Sequence, residues 1–533
     1  MNINKLILEF LKDNKGYLVA YLLFMLAYPI TSLILPKYYG EMIEDLRENK
    51  EPKFKLVLLL LAITNAMYLI MDRIDTVFIP KLQAHIRSNI VKVILENFED
   101  KFEEQELGVL ISKIVKLPLV VRDLVRSIRN YIVPITIVLF FIIIRFMIID
   151  KKLGISVFIG IISSIIVLTP IFLRCLKIST EMDESTDHIH EDISELFENM
   201  MDIYSMNTTN EELQNLEIKQ ETVISRYKKT FNATNTFRSI LTVFSLISFI
   251  TIVVYAYQLY RQKEINIALL INVVVSSMYI VNKLGSLSAE IPDLIFNLGS
   301  YIRTQKYLST LNITSFYQEN FQVKNGEIKF VDLGIKYGDN EVIKNFNMIV
   351  KPSESIAIVG KIGSGKSSII KALLKLIPYS GRILIDGTDI STINPSSVRS
   401  QMLYVRQNPL PFNRTLYENI AYGNNKITMK NVEELFIKYD LDTFFGHKLD
   451  SNIGKKGEKL SGGQRQMIFL LRILLNDNPI VILDEPTSNL DEKSSKYIWK
   501  ILKDILRSRT VLLITHDNDL ATLADRQIKI SNN

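Results

Sequence analysis

The sequence predicts an α-helical transmembrane domain with six spans, followed by an α/β domain that binds a nucleotide. The first prediction rests on long apolar segments, all of which begin before residue 270 of the 533-residue chain. The second rests on short strands and helices that alternate after residue 325, one pair of which encloses a phosphate-binding loop. We therefore expect a transmembrane domain at residues 1–315 and a nucleotide-binding domain at residues 325–533.

The apolar segments approach or reach the length of about 20 residues that a helix needs to cross the hydrocarbon core of a bilayer. Connections one, three and five between them are short, whereas connections two and four are long, polar and helix-patterned. The helices are therefore expected to extend well beyond the bilayer on one side only. The six segments are residues 16–36, 54–80, 131–149, 154–176, 240–260 and 267–283.

The charge and cysteine content exclude several classes of protein. The net charge is +6, but basic and acidic residues are interleaved, which is typical of a solvated mixed surface and argues against a nucleic-acid partner. Cys175 is the only cysteine, so the chain has no intrachain disulfide. The first apolar segment lacks a small-residue cleavage site and is followed by further spans, so we expect no secretory signal peptide.

The most informative segment is residues 360–367, which fits the phosphate-binding pattern G-x-x-x-x-G-K-[ST]. Residues 355–359 before it are predicted to form a buried strand, and residues 368–376 after it a helix. The glycines let backbone N–H groups curl around phosphate oxygens at a helix N-terminus. Lys366 is expected to reach the β- and γ-phosphates and Ser367 to ligate Mg²⁺. The predicted nucleotide-binding residues here are Gly360, Lys361, Ile362, Gly363, Ser364, Gly365, Lys366, Ser367 and Ser368.

This loop also indicates the orientation of the chain, for which the basic residues of the loops give only weak help. An ATP site faces the cytosol, and an even number of spans then places the N-terminus there too. Residues 2–13 carry apolar side chains on one face and are predicted to form an amphipathic helix at the inner interface. We expect a multi-pass integral membrane protein of a plasma or inner membrane.

Several polar side chains fall within or near the spans, where ionisable groups are candidate functional residues. Asp72, Arg73 and Asp75 lie near the inner end of the second span, and Arg145 lies near the outer end of the third. We interpret each as an anchor at the membrane interface in preference to a ligand contact. Three asparagines complete the set: Asn65, Asn272 and Asn282.

The segments around the phosphate-binding loop resemble the ATP-binding cassette of ABC transporters, a P-loop NTPase domain. Tyr337 precedes the loop at the distance of the aromatic residue that stacks on adenine in this family. Gln407 lies in residues 405–409, which resemble the Q-loop; the resemblance implies that it contacts Mg²⁺ and the attacking water. The cofactors that the resemblance implies are ATP and Mg²⁺.

The pentapeptide at residues 460–464 is identical to the signature of this family and is the most specific motif in the chain. Its backbone N–H groups at a helix N-terminus form a second anion site. In the family this site binds the γ-phosphate held by the phosphate loop of the other subunit. The resemblance thus implies a dimer, formed with a second copy or with a related half-transporter. The signature residues predicted to bind nucleotide are Ser461, Gly462, Gly463 and Gln464.

Residues 480–485 form an apolar run that ends in two carboxylates and resembles the Walker B motif. The resemblance implies that Asp484 lies near Mg²⁺ and that Glu485 orients and polarises the attacking water. His516 follows a later apolar strand, as does the switch histidine that contacts the γ-phosphate in this family. The predicted catalytic residues are therefore Glu485, His516 and Gln407, and the predicted Mg²⁺ ligands are Ser367, Gln407 and Asp484.

With six spans before one cassette, the whole chain resembles a half-size ABC exporter, which implies ATP-driven export of a substrate by alternating access. The sequence departs from the exporter pattern at Lys455, where an acid is usual, and at Pro486, Asn489 and Asp517. An ATP-gated channel, a regulatory membrane ATPase and one half of a heterodimeric transporter remain alternatives. An importer is less favoured, and the spans argue against a soluble cassette enzyme. The sequence leaves the cargo open among lipids, peptides, drug-like amphiphiles and siderophores.

Overall fold

The structure is a computed structural model that describes residues 3–97, 107–310, 321–338, 340–361, 363–446, 448–488 and 490–530. Ile362 of the phosphate-binding loop and Asn489 therefore lie outside the described residues. The described residues divide into two compact units, one formed by residues 3–97 and 107–310 and the other by the described residues from 321 onward. The two predicted domain ranges, 1–315 and 325–533, stay predictions, because residues 311–320 are not described.

The described residues of the first unit are helical almost throughout. Long apolar runs without interior glycine pairs favour continuous helices. The α-helices are α1 (Ile3–Asp13), α2 (Lys15–Phe24), α3 (Ala27–Pro29), α4 (Leu35–Arg47), α5 (Phe54–Asn97), α6 (Leu107–Ser127), α7 (Val133–Ile149), α8 (Lys151–Glu198), α9 (Met200–Met206), α10 (Thr209–Arg261) and α11 (Ile267–Thr310).

Six helical stretches in the described part of the chain are long and apolar enough to cross a membrane, which confirms the predicted number of spans. They contain all six predicted apolar segments. The longest, Thr209–Arg261, has 53 residues, which corresponds to about 80 Å of helix against a hydrocarbon core of about 30 Å. Much of this helix therefore extends past the bilayer, as its polar N-terminal half predicts.

Two short π-helical segments interrupt the spans. Residues Ile30–Ile34 connect α3 to α4, and residues Ile128–Ile132 connect α6 to α7. In each case the next α-helix carries a proline in its first turn, Pro36 or Pro134. Proline cannot donate a backbone hydrogen bond and crowds the preceding turn, so a widened turn relieves the clash.

The polar residues near the spans make contacts that the sequence did not indicate. The Asp75 carboxylate lies 2.6 Å from Arg129 Nη1 and accepts a hydrogen bond from the Tyr21 hydroxyl. Asp72 lies 3.4 Å from Arg129 Nη2. Helix α1 forms as predicted, and its Phe10 ring packs 5.5 Å from that of Phe78 on α5. These contacts join helices that are far apart in sequence.

The described residues of the second unit form two sheets. The strands are β1 (Ile328–Tyr337), β2 (Asn340–Val350), β3 (Ser355–Gly360), β4 (Ser380–Ile385), β5 (Thr388–Asp389), β6 (Met402–Val405), β7 (Ile480–Asp484), β8 (Thr510–Ile514) and β9 (Arg526–Ile530). The antiparallel sheet has the order β2-β1-β4-β5, and the parallel sheet has the order β6-β7-β8-β3-β9.

The parallel sheet is buried on both faces, as its uninterrupted apolar strands predict. Ile480 and Ile482 of β7 contribute to one core, while Val481 and Leu483 contribute to the other. The cassette helices are α12 (Lys366–Leu373), α13 (Pro395–Arg399), α14 (Leu416–Ile420), α15 (Met429–Tyr439), α16 (Leu441–Phe445), α17 (Gly462–Leu474), α18 (Glu492–Leu506) and α19 (Asn518–Ala521).

Helix α12 begins two residues before the predicted start and ends three before the predicted end. It starts at Lys366 because Gly365, at φ +86°, has left-handed backbone geometry and cannot continue a right-handed helix. It ends at Leu373, and Lys375 then adopts φ +54°. The buried Lys375 ammonium donates to the carbonyl oxygens of Ile390 and Ile393, at 2.8 and 2.6 Å.

Candidate nucleotide-binding site

The candidate site lies at the carboxyl edge of the parallel sheet. Strands β3, β6, β7 and β8 run in the same direction, so the residues that follow them meet at one edge. The phosphate-binding loop follows β3, and Gln407 follows β6. Asp484 ends β7 and is followed by Glu485, while His516 comes two residues after β8. Four segments that are far apart in sequence are thus brought together by strand order.

The phosphate-binding loop has the backbone geometry that its glycines predict. Gly363 and Gly365 have φ values of +79° and +86°, which side chains at these positions would strain. At Gly360 the constraint is space, since an added Cβ would lie 2.6 Å from the Ile530 carbonyl oxygen of β9. The described part of the loop therefore passes close to the sheet and turns its backbone into the N-terminus of α12.

Lys366 lies inside this loop and is 6% exposed. Its ammonium donates to the carbonyl oxygens of Gly360 and Lys361, both at 2.9 Å, so the side chain is folded back across the loop. Burial lowers the pKa of Lys366, because removal from water disfavours the charged form. The Ser364 hydroxyl is buried and has no hydrogen-bond partner among the described residues. Both groups favour the approach of a phosphate oxygen.

Asp484 and Ser367 meet beside this loop. The Asp484 carboxylate accepts hydrogen bonds from the Ser367 side chain and from the Tyr404 hydroxyl, the latter at 3.2 Å. Burial raises the pKa of Asp484, an effect that these two hydrogen bonds oppose. Tyr404 was not among the predicted site residues. No motif marks it, and only the pairing of β6 with β7 brings it to Asp484.

The Glu485 carboxylate is held from two sides by the other predicted catalytic residues. Gln407 Nε2 donates to Glu485 Oε2 at 2.6 Å, and His516 Nε2 lies 3.0 Å from Glu485 Oε1. The Glu485 backbone has φ +49°, an uncommon conformation for a residue with a side chain. Its N–H group donates to the Ile514 carbonyl oxygen at 2.9 Å, which fixes the turn against β8. The three residues form one contiguous group.

Tyr337 lies at the end of β1, and its hydroxyl lies 3.3 Å from the Ser368 hydroxyl. This contact connects the predicted adenine-stacking residue to the helix that begins at the phosphate-binding loop. The ring is 39% exposed, so much of its surface is accessible. Its predicted role in stacking stays a prediction.

The described hydrogen bonds of the signature residues Ser461 and Gln464 lie at the start of α17 and at the end of α16. The Ser461 hydroxyl accepts from the Gln464 N–H at 3.2 Å, and the Gln464 side-chain oxygen accepts from the Ser461 N–H at 2.9 Å. Gln464 Nε2 also donates to the carbonyl oxygens of Phe444 and Phe445, at 2.8 and 3.1 Å. This reciprocal capping box holds the start of α17. Gln464, which we predicted to contact nucleotide, thus has a structural role within its own chain.

Gly463 is required by packing between α17 and α18. An added Cβ would lie 2.2 Å from the Ser494 side-chain oxygen and 2.4 Å from the Ser494 Cβ, closer than any real contact. The side chain and backbone N–H of Ser494 are in turn bound by Asp491, which caps α18. The N-terminal ends of α17 and α18 are therefore packed against each other.

Comparisons with known proteins agree with this geometry. Residues 343–488, from β2 to the segment after β7, match the family described as ABC transporter. This range includes the phosphate-binding loop, the signature and the two carboxylates after β7. The second unit, which contains this range, is therefore an ATP-binding cassette of the ABC transporter family. The six spans of the first unit indicate an integral membrane protein.

Curated relatives are similar to this chain over the cassette. An ATP-dependent lipid A-core flippase of Psychrobacter arcticus is 41% identical over 207 residues, which cover 38% of this chain and 35% of the relative. ABC transporter B family member 13 of Arabidopsis thaliana is 36% identical over 204 residues, which cover 37% of this chain and 16% of the relative. The matched regions thus span about a third or less of these relatives.

A solved structure resembles the chain over nearly its whole length. The structure of a bacterial Atm1-family ABC exporter with ATP bound superposes with a TM-score of 0.86 at 18% identity and covers 97% of this chain and 93% of that one. The fold is therefore that of a half-size ABC exporter, with six spans and one cassette.

Proposed function

We propose that this protein is an ABC transporter, an ATP-driven exporter in which two copies of the chain share two ATP sites. The observation that carries the proposal is the Glu485 carboxylate, held between Gln407 and His516 at the edge of the sheet that also presents Lys366. This arrangement suits hydrolysis, because catalysis by P-loop NTPases depends mainly on positioning and charge compensation. The names of the relatives, an ATP-dependent flippase and an ABC exporter, support the same function.

Each side chain has a distinct part in the proposed reaction. The Lys366 ammonium binds the β- and γ-phosphate oxygens in exchange for the loop carbonyl oxygens that it contacts in this structure. Glu485 orients the attacking water and accepts its proton, and His516 contacts the γ-phosphate beside it. Gln407 keeps the Glu485 carboxylate in place through a hydrogen bond of 2.6 Å. Tyr337 stacks on the adenine ring.

The residues around Asp484 fit Mg²⁺. The hydroxyl of Ser367, the carboxylate of Asp484 and the amide oxygen of Gln407 are the hard oxygen ligands that Mg²⁺ prefers. Since burial raises the pKa of Asp484, its ionised form gains from a neighbouring cation. When bound, Mg²⁺ would supply charge neutralisation at the phosphates.

A second chain is part of the proposal because the described hydrogen bonds of the signature lie within its own cassette. The hydrogen bonds of Ser461 and Gln464 stay within α17 and its neighbour α16. We infer that Ser461, Gly462 and Gly463 bind the γ-phosphate held by the phosphate-binding loop of the partner chain. With Glu485 and the signature both intact, a homodimer would have two competent sites, although a related half-transporter could take the place of the second copy.

The proposed orientation places the cassettes and the N-terminus in the cytosol. Export is then movement of the substrate away from the cassette side, driven by closure and reopening of the cassette dimer.

The test is the ATPase rate of the purified protein in nanodiscs. Glu485→Gln is expected to lower the rate at saturating ATP by about a hundredfold or more, since general base catalysis contributes about that much. Glu492→Gln, which changes an exposed carboxylate at the start of α18, is the matched control and should leave the rate unchanged. An unchanged rate for Glu485→Gln, with the control intact, would contradict the proposed mechanism.

A further inference from the structure

The membrane unit has a cavity of about 440 Å³ that is lined by six side chains with polar groups. It combines three tyrosines, a threonine, an asparagine and a lysine, a polar set that lipid-facing helix surfaces do not need. All six residues lie in, or within one residue of, the predicted apolar spans. The cavity is lined by Tyr28, Thr31, Tyr68, Asn130, Tyr279 and Lys283.

Both π-helical segments of the described chain contribute to this cavity. Thr31 belongs to the segment Ile30–Ile34, and Asn130 belongs to the segment Ile128–Ile132. Short π-helical turns are rare and occur frequently at functional sites, because the widened turn changes the direction of side chains. Two such turns from different spans meet at one cavity, which is an observation independent of its polar lining.

The hydroxyl groups of the cavity are connected to one another. The Thr31 and Tyr279 hydroxyls lie 3.0 Å apart, and the Thr31 hydroxyl also lies 3.0 Å from the Tyr28 carbonyl oxygen. The Tyr28 and Tyr68 rings are 5.4 Å apart. Tyr28 is buried, and Thr31 and Tyr279 are half-buried. Phenolic hydroxyls held in this way can donate hydrogen bonds to an acceptor that enters the cavity.

Lys283 contributes a positive charge that no carboxylate neutralises. Its ammonium lies 5.5 Å from the centre of the Tyr28 ring and 5.7 Å from that of Tyr279. Among the described residues, no aspartate or glutamate oxygen is within ion-pair distance of it. Arg129, next to Asn130, differs in this respect, since Asp75 and Asp72 lie 2.6 and 3.4 Å from it. Within the part of the chain that the structure describes, the Lys283 ammonium of this cavity therefore has no carboxylate as counter-ion.

We propose that this cavity binds an anionic group, a phosphate or a carboxylate, of the molecule that the protein transports. An ammonium in a membrane span is costly without a counter-ion, and a ligand anion supplies one. The tyrosine and threonine hydroxyls complete the coordination as hydrogen-bond donors. This inference rests on the proposed export function and adds to it the charge of the substrate. The anion is carried either by a lipid-like amphiphile or by a soluble solute.

The test uses the full chain in nanodiscs of neutral phosphatidylcholine. Hexadecyl phosphate is added as the anionic probe, hexadecanol as the uncharged probe of equal chain length, and inorganic phosphate as the soluble probe. The readouts are the probe concentration that half-maximally changes the ATPase rate, and the shift of the thermal unfolding midpoint of the Glu485→Gln protein. The second readout detects binding without hydrolysis.

Hexadecyl phosphate is expected to act at lower concentration than hexadecanol, and Lys283→Gln should raise its half-maximal concentration by about tenfold or more, as expected for loss of a charge-assisted hydrogen bond. Lys283→Arg keeps the charge and should retain most of the response. The matched control is Lys81→Gln. The Lys81 ammonium lies 5.6 Å from the centre of the Tyr17 ring, outside the cavity, and this variant should respond as the unaltered protein does.

The remaining outcomes decide the source of the anion or overturn the proposal. A Lys283-dependent response to inorganic phosphate alone would identify a soluble anion as the ligand. Equal responses to hexadecyl phosphate and hexadecanol, or equal responses of the Lys283→Gln and unaltered proteins, would overturn the anionic site. If the protein with Glu485 intact showed no ATPase activity while the Lys283-dependent thermal shift persisted, the anionic site would stand and the proposed export function would fail.

Discussion

The phosphate-binding loop and the signature segment are two glycine-containing helix N-termini in one cassette, but they are held in different ways. The described part of the loop at residues 360–366 is held by two contacts. Gly360 lies against the Ile530 carbonyl oxygen of β9, and the Lys366 side chain crosses the loop to the Gly360 carbonyl oxygen. Helix α12 has Gly365 as its N-cap residue and has no side-chain cap. The signature helix α17 has Ser461 as its N-cap residue, which forms a reciprocal capping box with Gln464.

This difference explains how the two segments can serve one nucleotide. Backbone donors at an uncapped helix N-terminus are available to phosphate oxygens within the same chain. In the signature, the Ser461 N–H is bound to the Gln464 side chain, so the segment has the preformed surface that the proposed function requires for the nucleotide of a partner chain. The following changes would break or sharpen this comparison.

The largest effect is expected from Lys366→Ala. The substitution removes the ammonium predicted to bind the phosphates and also its hydrogen bonds to Gly360 and Lys361. We expect nucleotide affinity to fall by about tenfold to a hundredfold, the range for loss of charged hydrogen bonds. The measurement is equilibrium binding of a fluorescent ATP analogue. Lys351→Ala, at an exposed lysine before β3, should bind as the unaltered protein does, and equal affinities of the two variants would contradict the assignment.

Gly463→Ala is expected to reduce ATPase activity by about tenfold or more, because the added methyl group would overpack the α17–α18 contact at a cost of about 1–3 kcal/mol. The double variant Gly463→Ala with Ser494→Gly removes the clashing side chain and should recover most of the activity. Ser494→Gly alone is the control. Failure of the double variant to recover would show that the glycine is needed for approach of the partner's nucleotide and not for helix packing.

Gln464→Ala should lower stability before it affects nucleotide binding. Loss of the capping box and of the contacts to Phe444 and Phe445 is expected to cost about 1 kcal/mol, seen as a lower thermal midpoint of the cassette. Trp499, the only tryptophan, packs against the cassette core and reports on this transition by fluorescence. Gln464→Glu keeps an acceptor for the Ser461 N–H and should lower the thermal midpoint less than Gln464→Ala does. Activity loss without a change in midpoint would indicate direct nucleotide contact instead.

The smallest effect concerns the support of the strand that leads to the phosphate-binding loop. The Ser355 N–H and hydroxyl each donate to Asp525 at 2.8 Å and hold the pKa of Asp525 below its ordinary value of 3.8. Because the pKa is lower in the folded state, the stabilisation is present at neutral pH and is lost as the pH falls through the folded pKa.

Asp525→Asn should therefore lower the thermal unfolding midpoint slightly at pH 7. The difference in midpoint between this variant and the unaltered protein should become smaller below about pH 4. The measurement is Trp499 fluorescence of the full chain in detergent across this pH range. Asp450→Asn, at an exposed carboxylate of the cassette, is the control. A difference that stays constant down to pH 3 would exclude Asp525 ionisation as its cause.

The sequence by itself determined the features that depend on neighbouring residues. Six apolar segments set the number of spans, because each helix satisfies its own backbone and needs only local length and hydropathy. The glycine pattern at residues 360–367 likewise determined the phosphate-binding loop, since positive φ at Gly363 and Gly365 is a local requirement. The same holds for the two carboxylates after β7, whose position follows from the strand before them.

Only the tertiary structure decided the contacts between distant segments. The Tyr404 hydroxyl reaches Asp484 through strand pairing, and Gln464 reaches the Phe444 carbonyl oxygen through helix packing. In the membrane unit, Arg129 meets Asp75, and Lys283 meets Tyr28, across different spans. A single sequence has no local signal for such pairs, because each side chain is ordinary in its own helix or strand. These side chains interact only because tertiary packing brings them within a few ångströms of each other.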